Sequence, residues 1–331
     1  MATFLRNSIL ATLAYYDIFD YPLTHSEIYS NLINPGRITM IKSGIGEIDV
    51  NYTSEELKKL VTSKIIGEKE GFYFLAGRGE LYDARIVAKR ISDQKWTKFL
   101  KLIKFLALSP YLRGVFASGS LALGNTDEKS DFDVLVISQS GRLYTCRLFL
   151  WLISSFLGAR RKKHEKIAPD KLCFNHYITD ESLQIKHESL FNAQTYANLK
   201  PAIIESEMVG RFYDSNLWIN NYLYNFRPQI DSDSRSIKPL KFFILVASVF
   251  EFVLNSSFGD SFEKFVRKIQ QNKIKNNPVT YEPGGRIVFT DQELEFHPHS
   301  FEKFVIEKYN QNLNKLGVVP YIKETDSGLL Q

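Results

Sequence analysis

Residues 114–137 read GVFASGSLALGNTDEKSDFDVLVI, and the organisation of the chain follows from this stretch. Gly114 to Ser118 is a short apolar run of strand character, Gly119-Ser120 opens a short helix, and the polar loop GNTDEKS leads into a second apolar strand, Asp131–Ile137. Side chains alternate along a strand, so Asp131 and Asp133 share one face while Phe132 and Val134 occupy the other. Aspartate is depleted from strands, and adjacent carboxylates repel unless a positive charge lies between them. A divalent ion supplies that charge. Magnesium is commonly held by one or two carboxylates and keeps its other positions for water and substrate phosphates. Gly119 lets backbone approach a phosphate closely, and Ser120 is placed to hydrogen-bond it from a helix start. Ser130, just before Asp131, is a candidate to orient the first carboxylate. A pair of solvated aspartates at a strand end would leave the apolar run VLVI directly after them unexplained.

Upstream of this stretch, Trp96–Leu108 reads as an apolar helix closed by Ser109-Pro110. Downstream come a helix over Leu143–Gly158, a basic segment and a third strand, Leu172–Ile178. Between Arg142 and Lys171, eight basic residues (Arg142, Arg147, Arg160, Arg161, Lys162, Lys163, Lys166, Lys171) stand against Glu165 and Asp170, while the whole chain carries only +5. The patch suits polyphosphate or nucleic acid; its plainer reading is a solvated loop after a buried helix. Arg142 is a candidate nucleotide contact.

At the N-terminus, Ser8–Asp17 reads as a helix. Thr24 with Glu27 forms a capping box for a second helix through Ile33, residues 36–51 read as loop, and Thr53 or Ser54 caps a third helix. Residues 66–75 then read as two short strands about a polar turn, which completes a winged-helix order over residues 1–90. Eleven Lys/Arg balance eleven Asp/Glu there. A neutral module is poorly equipped to meet DNA phosphates, so packing or protein contact is the better reading than DNA binding.

Residues 188–331 read as mainly helical, over 193–226 and 240–274, with a hairpin at GGRIVFTDQELEFHP and a last helix, FEKFVIEKYNQNL. The apolar stretches 148–157 and 242–254 fall short of the roughly 20 residues a membrane span needs, so both are expected to be buried helices with no membrane partner. The aromatic positions from Phe242 to Phe252 are expected in the core. His297-Pro-His299 is too small a ligand set for a metal. The 44% hydrophobic and 24% charged residues exclude disorder, and two cysteines exclude a disulfide framework. The start lacks a signal-peptide pattern, and a cytoplasmic location is expected.

The stretch VFASGSLALGNTDEKSDFDVLVI resembles the nucleotidyltransferase superfamily that includes DNA polymerase β, kanamycin-type aminoglycoside nucleotidyltransferases and tRNA CCA-adding enzymes. Its motif is a hydrophobic residue followed by Gly-Ser, a spacer, and Asp-x-Asp inside an apolar strand; here ten residues separate Ser120 from Asp131. The resemblance covers about Trp96 to Ile178. It implies an α+β fold whose core is a small mixed β-sheet with helices on one face, preceded by the winged helix and followed by a mainly helical domain. The expected boundaries are 1–90, 91–187 and 188–331. It further implies transfer of an NMP from an NTP, with Mg²⁺ or Mn²⁺, to a hydroxyl acceptor: an RNA end or other polyanion, a protein, or a small molecule. The site so implied has Asp131 and Asp133 as catalytic metal ligands and Gly119, Ser120, Ser130 and Arg142 as nucleotide contacts.

The departures matter. Ala122 is followed by Leu123 where many small members carry an arginine. Active members place a third acid on a later strand; here that strand is LCFNHYI, flanked by Asp170 and Asp180, which leaves three accounts: another acid fills the role, His176 is the base with Asn175 as a metal ligand, or catalysis is weak or absent. The alternative implied is a catalytically impaired nucleotide sensor acting through its winged helix.

Overall fold

The computed structural model describes residues 2–40, 48–162, 165, 167–228 and 236–328. The N-terminal part runs α1 (Ala2–Tyr16), β1 (Leu23–Thr24), α2 (His25–Ser30), α3 (Pro35–Ile38), α4 (Val50–Thr62), β2 (Ile66–Lys69) and β3 (Phe72–Leu75). These strands form a three-stranded antiparallel sheet in the order β1-β3-β2. The capping box at α2 is present: the Glu27 backbone N–H donates to Thr24 Oγ1 at 3.3 Å, and the Thr24 N–H donates to Glu27 Oε2 at 2.8 Å. The α2 helix ends at Ser30 rather than Ile33, because Asn34-Pro35 starts α3. Asp49, not Thr53 or Ser54, caps α4 and accepts from the Asn51 N–H. Most of the expected 36–51 loop, residues 41–47, lies outside the described residues.

One long helix, α5 (Leu81–Ile103), takes in most of the helix expected over Trp96–Leu108, whose last residues form the Lys104–Leu108 turn. Next come β4 (Leu112–Ala117), α6 (Gly119–Leu123), β5 (Phe132–Ser138), α7 (Leu143–Phe156), β6 (Leu172–Thr179), α8 (Leu190–Ala197), β7 (Lys200–Ile204) and α9 (Ser206–Asp214). The chain continues through α10 (Lys241–Leu254), α11 (Ser257–Lys275), β8 (Arg286–Phe289), β9 (Glu293–His297) and α12 (Glu302–Lys315). A six-stranded mixed sheet has the order β7-β4-β5-β6-β9-β8, with β5 and β6 its parallel pair. The segment 200–204, expected to be helical, is an edge strand paired with β4. Its Ala-Ile-Ile run fits a half-buried pleat as well as a helix, and the open edge of β4 decides between them.

Helices cover both faces of this sheet, not one. Val115, Val134, Val136 and Tyr177 pack toward α5 and α7, with Phe99 edge-on to Phe132 at 5.4 Å. Phe116, Leu135, Ile137 and Ile178 pack toward α8 and α9, with Phe116 against Phe212 at 5.3 Å. The expected 187/188 boundary falls among the strands of this one sheet, since β7, β8 and β9 all follow it. The chain also returns to its beginning. Tyr309 and Leu313 of α12 share a core with α1, Asn312 Nδ2 donates to the Ala14 carbonyl at 3.2 Å, and Arg37 makes a two-point pair with Glu324 at 2.6 and 2.8 Å.

The α10 helix corrects the expectation of a buried segment. Only Ala247 and Leu254 are buried, while Phe242, Leu245, Val249 and Phe252, spaced i, i+3, i+7, i+10, face outward and are 56–84% exposed. Its carboxylate, Glu251, lies on the packed side, accepting from the Tyr111 N–H at 2.5 Å and from Arg113 at 3.0 Å, so the polar position marks the inner face, the reverse of the usual pattern. The helix packs on the Lys104–Leu108 turn (Phe105–Phe243, 5.6 Å) and on α7 (Phe149–Phe250, 5.3 Å), outside the layer already covering the sheet. Among the described residues no single helix is long and apolar enough to cross a membrane; α10 and α11 reach that length and composition only together, across a 97° bend.

Candidate active site

β4 and β5 are antiparallel neighbours, so the end of β4 delivers Ser118 to the start of β5, and the Ser118 N–H donates to the Asp133 carbonyl at 2.9 Å. The chain then turns at Gly119 with φ +60° into α6. A Cβ at Gly119 would stand 2.6 Å from Asp133 Oδ2, so backbone and carboxylate meet where no side chain fits. Asp131 sits one residue before β5 and Asp133 is its second residue, both partly buried and on one side, as the alternation requires. Burial, and next the charge of Asp131, raise the Asp133 carboxyl above the usual carboxylate range.

The parallel neighbour β6 places Cys173 directly across from Asp133. A bulge follows: Val134 pairs with Phe174 but Leu135 with His176, which leaves Asn175 as the extra residue. Asn175 Nδ2 donates to Asp133 Oδ1 at 2.9 Å. Donor atoms of Asp131, Asp133 and Cys173 lie within 4.8 Å of one another. Burial and the two carboxylates raise the Cys173 thiol, which keeps it neutral and a poor partner for a hard cation. The strand offers no acid here, and the residue opposite Asp133 was not readable without the register.

Arg161 completes the cluster. Its Nη1 donates to Asp131 Oδ2 at 2.5 Å and lies 3.8 Å from the Cys173 sulfur, while its backbone N–H donates to the Leu172 carbonyl at 3.1 Å. The basic segment thus sends one guanidinium into the site; Lys163 and Lys166 lie outside the described residues. Behind the site, buried Lys95 donates to the Glu128 and Ser130 carbonyls at 3.1 and 2.8 Å and to Asp170 Oδ1 at 2.7 Å. It ties down the loop that delivers Asp131.

Three expected site residues are placed elsewhere. Ser130 Oγ donates to Asp127 Oδ1 at 2.7 Å and accepts from the Asp127 N–H at 3.0 Å, so it closes its own loop instead of orienting Asp131. Arg142 follows the far end of β5, roughly 20 Å along the strand at about 3.3 Å per residue, where it pairs with Asp260 at 2.5 Å. His176 is buried with both ring nitrogens engaged: Nε2 with Glu293 at 3.1 Å and Nδ1 with the Tyr196 hydroxyl at 3.0 Å. Both nitrogens are thus occupied by these two partners. His297 turns to Glu295 at 3.5 Å and His299 lies exposed, so the two do not converge. Gly119 and Ser120 border a cleft of about 330 Å³ whose other walls include Tyr15, Phe19, Phe191 and Phe301.

Two carboxylates, one of them against the Gly119 backbone that borders a partly apolar cleft, are suited to hold a phosphate-bound cation. Residues 97–206 match the family model described as a nucleotidyltransferase domain. Neither the search of curated proteins nor the search of solved structures gave a match. The part of the chain that carries Gly119, Ser120, Asp131 and Asp133 is therefore similar to a nucleotidyltransferase domain, of the class that transfers nucleotides.

Proposed function

We propose that the chain is a metal-dependent nucleotidyltransferase that moves an NMP from an NTP to a hydroxyl acceptor. The observation that carries this reading is the meeting of Gly119 backbone with Asp133, on the strand face that Asp131 shares. Asp131 and Asp133 fit Mg²⁺ or Mn²⁺ as two hard oxygen donors; Cys173 does not fit as a third, and Asn175 presents its amide N–H to Asp133. A bound divalent ion would supply positive charge against the triphosphate.

The chain's own residues do the rest. Gly119 and Ser120 position the phosphates, and the aromatic cleft beside them excludes water from one side of the nucleotide. The oxygen of an acceptor hydroxyl bonds to the α-phosphorus as the bond from that phosphorus to the bridging oxygen breaks, the hydroxyl proton is released to water, and pyrophosphate leaves with the electron pair. Asp131 becomes available once Arg161 turns from it to the incoming phosphates, where a guanidinium binds equally well.

The N-terminal part is read as a winged helix, supported by its order of α1, β1, the helices α2, α3 and α4 and the β2-β3 hairpin, and by the sheet order β1-β3-β2. Buried Glu56 and its pair with Lys59 on α4, in a region of balanced charge, favour a packing role over DNA binding. A second reading of the whole chain, nucleotide binding without transfer, is favoured by Arg161 on Asp131 and by a neutral thiol in the third position.

The test is transfer of α-phosphate label from each NTP, with Mg²⁺ or Mn²⁺, to RNA, protein and small-molecule acceptors. Label that disappears in Asp131→Asn/Asp133→Asn supports transfer, and the labelled species gives the acceptor. Metal-dependent nucleotide binding without label would replace transfer by sensing.

A further inference from the structure

A second cleft, of about 380 Å³, opens between the N-terminal part and the sheet; it shares Tyr16, Ala122, Leu123 and Asn198 with the first cleft but reaches neither Gly119 nor Ser120. It is bordered by α2, by the first turns of α5, by the start of β7 and by Leu123-Gly124 at the end of α6. Four cations line it, Arg85, Lys89, Lys200 and Arg227, against the single carboxylate of Glu27. Arg85 and Lys89 are four residues apart on α5 and so share one helix face.

Arg85 is the unusual member. It is only 8% exposed, its guanidinium stacks 3.5 Å above the Tyr21 ring, and one arm, Nη2, donates to Glu27 Oε1 at 2.7 Å. Its Nε and Nη1 are buried with no hydrogen-bond partner. Glu27 cannot answer all of this charge, because its Oε2 is already taken by the Thr24 N–H. A buried donor left unpaired costs about 1–3 kcal/mol, and a partly desolvated guanidinium more. Burial accordingly weakens the hold of Arg85 on its proton. The fork geometry of a guanidinium matches a phosphate or carboxylate, and Arg85, Lys89 and Arg227 against Glu27 leave an excess of two positive charges, which matches a doubly ionised phosphate better than a single carboxylate. Tyr16, Asn31 and Asn198 form a bonded polar wall, with Asn198 Nδ2 donating to the Tyr16 hydroxyl and to Asn31 Oδ1 at 3.2 Å each, and the exposed Ser26 and Ser30 hydroxyls line the mouth, where they suit ligand hydroxyl groups.

We infer that this cleft is a binding site for a small phosphomonoester carrying hydroxyl groups, with its phosphate held by Arg85, Lys89 and Arg227. The site is wired to α6: the Tyr21 hydroxyl donates to the Leu123 carbonyl at 2.6 Å, and Asn125 Nδ2 donates to the Phe19 carbonyl at 2.9 Å. An occupant therefore acts on the helix whose other end carries Gly119 and Ser120. The inference needs neither Asp131 nor Asp133 and stands apart from the transfer reaction.

The experiment is isothermal titration of the full chain carrying Asp131→Asn/Asp133→Asn with inorganic phosphate and with glycerol 3-phosphate, glycerol being the control. One saturable site is expected for both anions and none for glycerol. Affinity should fall at least about tenfold in Lys89→Glu, an exposed position that leaves the core untouched, and be lost in Arg85→Gln. No saturable binding below about 10 mM phosphate, or binding indifferent to Lys89→Glu and Arg227→Ala, overturns the site. With the unsubstituted chain and labelled NTP, label appearing on glycerol 3-phosphate identifies the occupant as an acceptor. A changed rate with label elsewhere identifies it as an effector. Both outcomes need the cleft, whereas absence of any transfer bears only on the aspartates.

Discussion

Two groups of acids lie on the same face of the six-stranded sheet and are treated oppositely by the fold. Asp131 and Asp133 sit at the rim, at the start of β5, beside a cleft and under a glycine, with one arginine reaching in from a loop. Glu293 and Glu295 lie on β9, where Glu295 faces His176 and Ile178 faces Glu293 in the register, and their oxygens converge with His176 within 4.8 Å. That second group is enclosed and answered on every side. Arg286 makes a two-point pair with Glu295 at 2.8 and 2.8 Å and a third contact to Glu302 at 3.3 Å, while Ser327 Oγ donates to Glu302 at 2.8 Å. Both groups have metal-ligand composition, and only the rim group has donors left to give. Saturation of partners, more than the kind of residue, separates an acid cluster that can take a ligand from one that joins β9 to the sheet.

Three substitutions break or sharpen that contrast, in descending order of effect. Gly119→Val places a branched side chain against Asp133 at a positive φ and should lower transfer by at least roughly 1,000-fold, about 4 kcal/mol of barrier. Circular dichroism should show the secondary structure unchanged; full activity would detach Gly119 from the site. Glu295→Gln should leave NTP binding intact and act on stability. Burial alone would raise the Glu295 carboxyl, yet His176 and Arg286 hold it at about 2, below the roughly 4.3 of an unfolded glutamate. Its contribution, on the order of 3 kcal/mol, is complete above about pH 5 and is lost as pH falls toward 2. Thermal melts across pH 2–7 should show the acid-side loss flattened in the variant; parallel curves would mean that Glu295 is not the linked group.

The smallest effect is expected for Arg161→Gln. Removing the cation from Asp131 should tighten Mn²⁺ binding without nucleotide by about three- to tenfold, roughly 1 kcal/mol at this half-open position. Weaker Mn²⁺ binding, followed by electron paramagnetic resonance, would instead make Arg161 a support for the site.

Much of the rim group was legible in the sequence, because its pattern is local. The Gly-Ser pair, the spacer and the same-face aspartates lie within fifteen residues, and strand alternation alone places the carboxylates together. What the sequence did not disclose depends on partners far along the chain. Cys173 meets Asp133 through parallel pairing, Arg161 arrives from a loop, and His176 is claimed by acids more than a hundred residues later. Ser130 failed as a predicted contact because a nearer acceptor, Asp127, was available to it. The outward turn of α10 was hidden for another reason: its carboxylate, Glu251, is turned inward to Arg113, so the usual polar-out rule points the wrong way. The edge strand β7 was lost to the ambiguity of short apolar runs.

The bulge at Asn175 has a consequence for how such a chain can change over generations. On either side of it, β6 is read in two different phases: Cys173 aligns with Asp133, and His176, three residues on, still faces the same way. The extra residue behaves as a frame-shift that has been absorbed in place. A residue exchanged on the rim side therefore alters what stands opposite Asp133, while the half of the strand locked to β9 keeps its phase.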